Sequence, residues 1–203
     1  MPAPHWIHSA ATRWACTGIA LAAAACAPLS PKPAKTSEAP PVAAACPPAL
    51  AALARCLAGQ DSAGAYYLIA MPHQWNGHLV LHAHGGPALG APRPERSAAD
   101  LERWAIMVKA GYAWAGSTFR QGGVEVRAAA EDTERLRQIF VGHVAQPRRT
   151  ILHGQSWGAS VAARGAEMFT STTQGQRPYD AVLLTSGVLA GGSRSYDFRT
   201  DLR

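Results

Sequence analysis

The sequence predicts an α/β fold in which a mostly parallel β-sheet carries helices on both faces. Two observations lead to this prediction. Apolar segments with the length of strands alternate along the chain with segments of helical apolar periodicity, as a parallel sheet with crossover helices requires. In addition, a serine flanked by glycines stands between one of these strands and the helix after it. With 203 residues, of which 48% are hydrophobic, the chain is long enough for one globular domain.

Each predicted element follows from its residue pattern. Apolar and aromatic runs between glycine or proline breaks predict strands, and apolar residues three and four positions apart predict helices. The predicted strands cover residues 65–70, 78–84, 112–116, 150–153 and 181–187, and the predicted helices cover 97–110, 128–144 and 157–170. The short turn at 74–77 leads us to expect the first two strands to be neighbours in the sheet. Ser97 and Asp100 are spaced like a capping box at the start of the first helix.

The first residues predict export and not a folded element. Arg13 precedes an apolar run at 14–25, which is too short to cross a bilayer and has the size of a signal-peptide core. Small residues stand directly before Cys26, so residues 1–26 resemble a bacterial lipoprotein signal with Cys26 as the lipidation site; simple secretion is the alternative. Residues 27–45 are rich in Pro and Ala and predict a tether before the domain at 46–203. We therefore expect a periplasmic or extracellular protein that reaches a membrane only through a lipid anchor.

Two cysteines remain for the exported domain, Cys46 and Cys56. Because exported proteins fold in oxidising compartments, a pair ten residues apart predicts a disulfide that closes a short loop. The alternative is two small, buried hydrophobic side chains. In both cases we expect a structural role and no part in catalysis.

The charge pattern excludes one class of partner. The formal net charge is +6, and charged residues make up 16% of the chain. Basic residues are interspersed with acidic ones, as at Glu131, Asp132, Glu134 and Arg135, and are not gathered in a block. This mixture is typical of a solvated surface, so the sequence predicts no nucleic-acid partner.

The segment GQSWG at 154–158 carries the predicted chemistry. It lies directly after the strand at 150–153 and directly before the helix from 157, which is the arrangement of the G-x-S-x-G nucleophile elbow. A serine on such a tight turn is exposed to a substrate carbonyl, and a Cβ at Gly154 or Gly158 would collide with neighbouring backbone. The sequence therefore predicts Ser156 as the nucleophile.

A second glycine turn, HGGP at 84–87, follows the strand at 78–84. Glycines there let the backbone approach a substrate carbonyl closely, so that an N–H group can bind the negative charge that develops on the oxygen. We expect the N–H groups of Gly86 and Trp157 to form this oxyanion hole, since the helix that begins at Trp157 also directs its positive end toward the same place. An ordinary tight turn is the alternative for HGGP.

Together, the two motifs give residues from about 60 to 190 a resemblance to the α/β-hydrolase superfamily. The pair of HGGP and GQSWG is closest to serine hydrolases of the prolyl-aminopeptidase-like and related esterase branches, and the sequence departs from the peptidase pattern at Ala88 and Gln155. The resemblance implies a Ser–His–acid triad, an acyl-enzyme intermediate, and the ester or peptide bond of a small-molecule substrate. It implies no metal or organic cofactor.

The order of the histidines departs from that of the superfamily, in which the acid and the histidine follow the serine. All eight histidines of this sequence precede Ser156. We therefore expect the chain to be the N-terminal portion of the fold, with the C-terminal part missing, the triad acid and histidine beyond residue 203, and little or no activity of its own. The alternative is an exported, non-catalytic binding domain that retains the hydrolase fold.

Overall fold

The protein is described here by a computed structural model, which covers residues 37–86, 88–123 and 125–189. These residues belong to one compact unit, Pro33–Arg203. The predicted signal at 1–26, with Cys26, lies outside the described residues, as does Pro87 of the HGGP turn.

Seven strands and four α-helices make up the described part of the chain. The strands are β1 (Val42–Ala44), β2 (Ala54–Gln60), β3 (Tyr66–Pro72), β4 (His78–Ala83), β5 (Ala113–Ser117), β6 (Arg149–Gln155) and β7 (Ala181–Thr185). The helices are α1 (Glu95–Arg103), α2 (Ala105–Lys109), α3 (Val126–His143) and α4 (Trp157–Met168), and a short 3-10 helix covers Pro48–Leu50.

All seven strands form one sheet, in the order β1-β2-β3-β5-β4-β6-β7. The β1–β2, β2–β3 and β3–β5 pairs are antiparallel, and the β4–β5, β4–β6 and β6–β7 pairs are parallel. Five strands therefore run in one direction and only β1 and β3 in the other, which confirms the mostly parallel sheet. The expectation that the first two predicted strands are neighbours is wrong. The chain after β4 crosses over through α1 and α2, and β5 enters the sheet between β3 and β4.

Helices cover both faces of the sheet, as predicted. Alternate strand residues point to opposite faces, and the core is divided accordingly. Leu79 and Leu81 pack on one face with Leu136 of α3 and Ala162 of α4. Val80, between them, packs on the other face with residues of α1 and α2. The carboxyl ends of β4 and β6 therefore emerge between two helical layers.

The predicted capping box at Ser97 and Asp100 is wrong. Helix α1 begins two residues earlier, at Glu95, so both side chains lie inside the helix. The Asp100 carboxylate accepts a hydrogen bond from Arg96 Nε at 2.9 Å, one turn back along the helix. Within the described residues the buried Ser97 hydroxyl has no hydrogen-bond partner.

The N-terminal edge of the sheet begins inside the region predicted as a tether. Residues 42–44, the end of the predicted 27–45 segment, form β1 and pair antiparallel with β2. Cys46 and Cys56 are joined by a disulfide with a Cα–Cα separation of 5.2 Å, which links the residues after β1 to β2. Before β1, a Glu38 carboxylate oxygen lies 3.3 Å from Arg135 Nε of α3. The disulfide and this ion pair attach the N-terminal edge of the sheet to β2 and α3.

Candidate active site

Ser156 lies on a tight turn between β6 and α4, the strand–turn–helix arrangement that the sequence predicts. Its backbone dihedrals are φ 54° and ψ −120°, a region that residues with a Cβ adopt only under strain. The N–H group of Ser156 donates to the carbonyl of Thr185, at the end of β7, over 2.9 Å. The neighbouring strand thus helps to hold the serine in this conformation.

Two glycines make this turn possible. A Cβ on Gly154 would lie 2.7 Å from the Cα of Ala159, in the first turn of α4. A Cβ on Gly158 would overlap the carbonyl oxygens of Ala83 and His84. Because these neighbours are backbone atoms of the sheet and helix, they cannot move aside as a flexible side chain could.

The second glycine turn lies beside the first. Gly86 has φ 68°, in the left-handed region that favours glycine. A Cβ on Gly85 would lie 2.9 Å from the backbone oxygen of Gln155, so the two turns are in close contact. Gly85, Gly86, Gln155 and Ser156 line one cavity of about 450 Å³. The two motifs that the sequence identified are therefore brought together.

Charged side chains of α1 complete the wall of this cavity. Arg96, Asp100 and Arg103 line it with the glycine turn and Ser156. Arg96 forms an ion pair with Asp100, and its Nη2 also donates to the carbonyl of Gly85 over 2.7 Å. Sequence reasoning did not identify Arg96, since nothing local in the sequence connects an arginine on a surface helix with a glycine turn eleven residues earlier.

His84 forms a hydrogen bond to the glycine turn. Its Nδ1 lies 3.2 Å from the carbonyl oxygen of Gly85, and its ring stacks on Phe119 with centroids 4.3 Å apart. Burial, and next the positive charge of Arg96, lower the pKa of His84 below its ordinary value of 6.5. The imidazole is therefore neutral at pH 7, and a proton on Nδ1 lets it donate to Gly85.

Two further buried histidines, on β4 and β6, contact each other. His82 on β4 and His153 on β6 are buried, and their Nδ1 atoms are 2.9 Å apart. His153 Nε2 lies 3.2 Å from the hydroxyl of Thr185, which in turn donates to the carbonyl of Gly154. Burial lowers the pKa of His153 to about 4, and burial followed by the proximity of His153 lowers that of His82 well below 6.5.

The direction of hydrogen bonding in this chain follows from its last member. Because the Thr185 hydroxyl donates its one proton to Gly154, it accepts from His153 Nε2–H. Neutral His153 then accepts at Nδ1, and His82 donates from its own Nδ1. We call this series His82–His153–Thr185–Gly154 the histidine chain. It ends on the residue two positions before Ser156.

The predicted site residues fall into two groups. Ser156 and Gly86 line the cavity, and Trp157 is the first residue of α4, where helix N–H groups lack intrahelical partners. Cys46 and Cys56 lie at the far edge of the sheet, on the β1–β2 side. Within the part of the chain that the structure describes, no hydrogen bond joins the Ser156 hydroxyl to a histidine or to any other group.

The described residues contain neither a metal-binding cluster nor a helix that could span a membrane. Over the ranges 37–86, 88–123 and 125–189, no group of three or more His, Cys, Asp or Glu side chains could hold a metal ion. No helix in the same residues is both long and apolar enough to cross a membrane.

Several solved structures share this architecture. An esterase of the bacterial hormone-sensitive lipase family superposes with a TM-score of 0.50 at 19% identity, over 66% of this chain and 44% of its own. DphMB1 superposes with a TM-score of 0.56 at 19% identity, over 78% of this chain and 52% of its own. Vibralactone cyclase superposes with a TM-score of 0.52 at 14% identity, over 71% of this chain and 47% of its own. The chain has the α/β-hydrolase fold.

At these identities the likeness shows the fold alone. The chain spans about half the length of the structures it matches. No family model matches the sequence, and no curated protein matches it. The chemistry of this chain must therefore be argued from its own residues.

Proposed function

We propose that this protein is a serine hydrolase that cleaves carboxylic esters, with Ser156 as the nucleophile. One observation carries the proposal: Ser156 has strained dihedrals on a strand-to-helix turn and lines a cavity of about 450 Å³ with Gly86. Strain of this kind persists where a turn must present a reactive group. An ester is favoured over a peptide bond because the structural neighbours include an esterase.

The proposed reaction is acyl transfer through a covalent intermediate. The Ser156 hydroxyl oxygen attacks the carbonyl carbon of the ester while a base takes its proton. The N–H groups of Gly86 and Trp157 bind the oxyanion that forms. When the tetrahedral intermediate collapses, the alcohol leaves with a proton and the acyl group remains on Ser156. Water then attacks the acyl-enzyme, releases the acid and restores the hydroxyl.

The general base of this proposal is not one of the buried histidines. His84 is engaged with Gly85, and His153 is engaged with both His82 and Thr185. None of the hydrogen bonds that these rings form within the described residues is to the Ser156 hydroxyl. We assign the base, and the acid that orients it, to residues outside the described ranges.

Location is part of the same proposal. We infer export through residues 1–26, with lipidation at Cys26, and a small ester as the substrate. The Cys46–Cys56 disulfide supports an oxidising compartment. Mass spectrometry of the mature N-terminus tests this: a diacylated Cys26 as first residue is expected, whereas an unprocessed Met1 in the purified protein would contradict export.

Labelling with a fluorophosphonate tests the nucleophile. The probe phosphonylates a nucleophilic serine, so we expect a single adduct on the peptide that contains Ser156. We expect this adduct to form slowly, in line with the weak activity expected from the sequence, because none of the described histidines reaches the Ser156 hydroxyl to take its proton. The adduct should be absent from Ser156→Ala. Ser160→Ala is the matched control, because Ser160 is one turn further along α4 and its hydroxyl donates to the carbonyl of Val188. We expect this variant to be labelled like the wild type.

A folded wild-type chain that takes up no probe would contradict the proposal. In that case the alternative function, an exported binding domain that retains the hydrolase fold, would be favoured. Hydrolysis of 4-nitrophenyl butyrate compared with a 4-nitroanilide of the same acid then separates ester from amide specificity, and we expect the ester to be the better substrate.

A further inference from the structure

The geometry points to Arg96 as a positioning residue for the oxyanion hole. This inference rests on the proposed function, in which the Gly86 N–H binds the oxyanion. The carbonyl of Gly85 and the N–H of Gly86 belong to one planar peptide unit and point in opposite directions. Whatever fixes the Gly85 carbonyl therefore also fixes the direction of the Gly86 N–H.

Two donors fix that carbonyl. Arg96 Nη2 lies 2.7 Å from the Gly85 oxygen, and His84 Nδ1 lies 3.2 Å from it. The arginine contact is the shorter one and carries a full positive charge. Hydrogen bonds with an ionised partner are about twice as strong as neutral ones. Because hydrogen bonds polarise the groups that join them, a cation at the carbonyl also makes the N–H at the other end a better donor.

The turn needs such support because of its residues. Two successive glycines give the backbone more conformational freedom than any other pair, and Gly86 already has φ 68°. A Cβ on Gly86 would meet nothing within 4 Å, so among the described residues no close packing on that side of Gly86 holds its conformation. The hydrogen bonds from Arg96 and His84 to the Gly85 carbonyl therefore hold the orientation of this peptide.

Arg96 is itself held in place. Its Nε donates to the Asp100 carboxylate over 2.9 Å, while its Nη2 reaches Gly85. The Asp100 side chain is 12% exposed, so this ion pair is partly shielded from solvent. The planar guanidinium thus connects helix α1 rigidly to the glycine turn, which the single ammonium group of a lysine could not do.

Arg103 offers a matched control. It lines the same cavity on the same helix as Arg96. Among the described residues it forms no hydrogen bond to either glycine turn. Arg103→Gln and Arg96→Gln therefore remove the same charge from the same cavity, and only the second removes the contact with Gly85.

The test compares these variants in the full chain by two measurements. The first is the rate of fluorophosphonate labelling of Ser156, together with kcat and KM for 4-nitrophenyl butyrate. We expect Arg96→Gln to lower the labelling rate and kcat about tenfold to a hundredfold with little change in KM, because the oxyanion is bound in the transition state and not in the ground state. Arg103→Gln should lower the labelling rate and kcat far less.

The second measurement is the ¹H and ¹⁵N chemical shift of the Gly86 amide in isotope-labelled protein, which does not depend on activity. Arg96→Gln should move this signal and Arg103→Gln should not. Arg96→Lys, which keeps the charge but not the fork, should lie between the wild type and Arg96→Gln in both measurements. Asp100→Asn, which weakens the hold on Arg96, should do the same and replaces Arg96→Gln if that variant does not fold.

The outcomes separate the two claims. An unchanged Gly86 amide in Arg96→Gln, or equal kcat losses in Arg96→Gln and Arg103→Gln, overturns the positioning role. A wild type that is neither labelled nor active overturns the proposed function instead. The Gly86 amide then decides alone whether Arg96 positions this peptide: a shift specific to Arg96→Gln supports it, and no shift overturns it.

Discussion

Gly154 and Gly158 show how much of the site depends on single atoms. Both approach backbone so closely that a methyl group has no room, and the atoms in the way belong to α4, to the end of β4 and to His84 directly after it. The glycines of the motif could be interpreted from the sequence because the motif is local. Arg96 could not, since its contact with Gly85 exists only after α1 has packed beside the end of β4.

Gly158→Ala is expected to destabilise the protein by more than about 2 kcal/mol, since the new Cβ would overlap the carbonyl oxygens of Ala83 and His84. Gly165→Ala is the control on the same helix. There the new Cβ would meet a Leu152 methyl at 3.3 Å, and alanine favours the helix by up to about 1 kcal/mol. Urea unfolding monitored by circular dichroism measures both. A loss in Gly158→Ala no larger than that in Gly165→Ala would contradict this reasoning.

Between elements, β7 supports the serine turn through one residue. The Thr185 carbonyl accepts from the N–H of Ser156, and its hydroxyl joins the histidine chain to Gly154. None of these partners is close to Thr185 in sequence. The sequence predicted the strand correctly but gave no indication of this connection, because hydrogen-bond partners across a sheet depend on register.

Thr185→Val is expected to lower the free energy of unfolding by about 1–3 kcal/mol, because valine keeps the shape but leaves His153 Nε2–H without an acceptor. Thr185→Ser keeps the hydroxyl and should lower the free energy of unfolding by less. Denaturant titrations of both variants at pH 7 give the comparison. If serine costs as much as valine, the methyl group of Thr185 and not its hydroxyl is what stabilises the strand pair.

The buried histidines also predict a pH dependence. His153 has a folded pKa of about 4 against 6.5 for an unperturbed ring, and that of His82 is lowered as well. Below pH 6.5 the unfolded chain therefore binds more protons than the folded one. The free energy of unfolding should fall as the pH drops from about 6.5 toward 4, by about 3 kcal/mol from His153. Urea titrations between pH 7 and 4.5 measure the slope, which His153→Gln should reduce; a flat profile in the wild type would contradict the assignment.

For the whole molecule, the sequence predicted the elements better than their arrangement. Strands β3 to β7 and helices α3 and α4 followed from apolar periodicity, which reflects burial along each element. The single helix predicted over 97–110 is instead two helices, α1 and α2. Strands β1 and β2 were not predicted, because VAA and ARCLAGQ contain few of the β-branched and aromatic residues that favour strands. They form because β3 offers an edge to pair with. The position of β5 between β3 and β4 could not be predicted either, because it depends on how the connection through α1 and α2 crosses the sheet and not on the residues of β5.

The disulfide should contribute to the stability of the whole domain. It joins residues with a sequence separation of 10, for which restriction of the unfolded chain gives about 3 kcal/mol. The double variant Cys46→Ser, Cys56→Ser should unfold at lower urea concentration by a corresponding amount. Reductant should shift the wild type toward the variant and leave the variant unaffected. Coincident unfolding of both proteins without reductant would show that the bond contributes nothing.

The position of β1 has a mechanical consequence. It is an outermost strand of the sheet, and five interstrand steps separate it from β6, which leads into Ser156. At about 4.8 Å a step, this amounts to about 24 Å. If the proposed lipid anchor pulled on the residues before β1, the force would be borne first by the three-residue ladder between β1 and β2 and then by the Cys46–Cys56 disulfide. The serine turn, five strands away, would not carry this load.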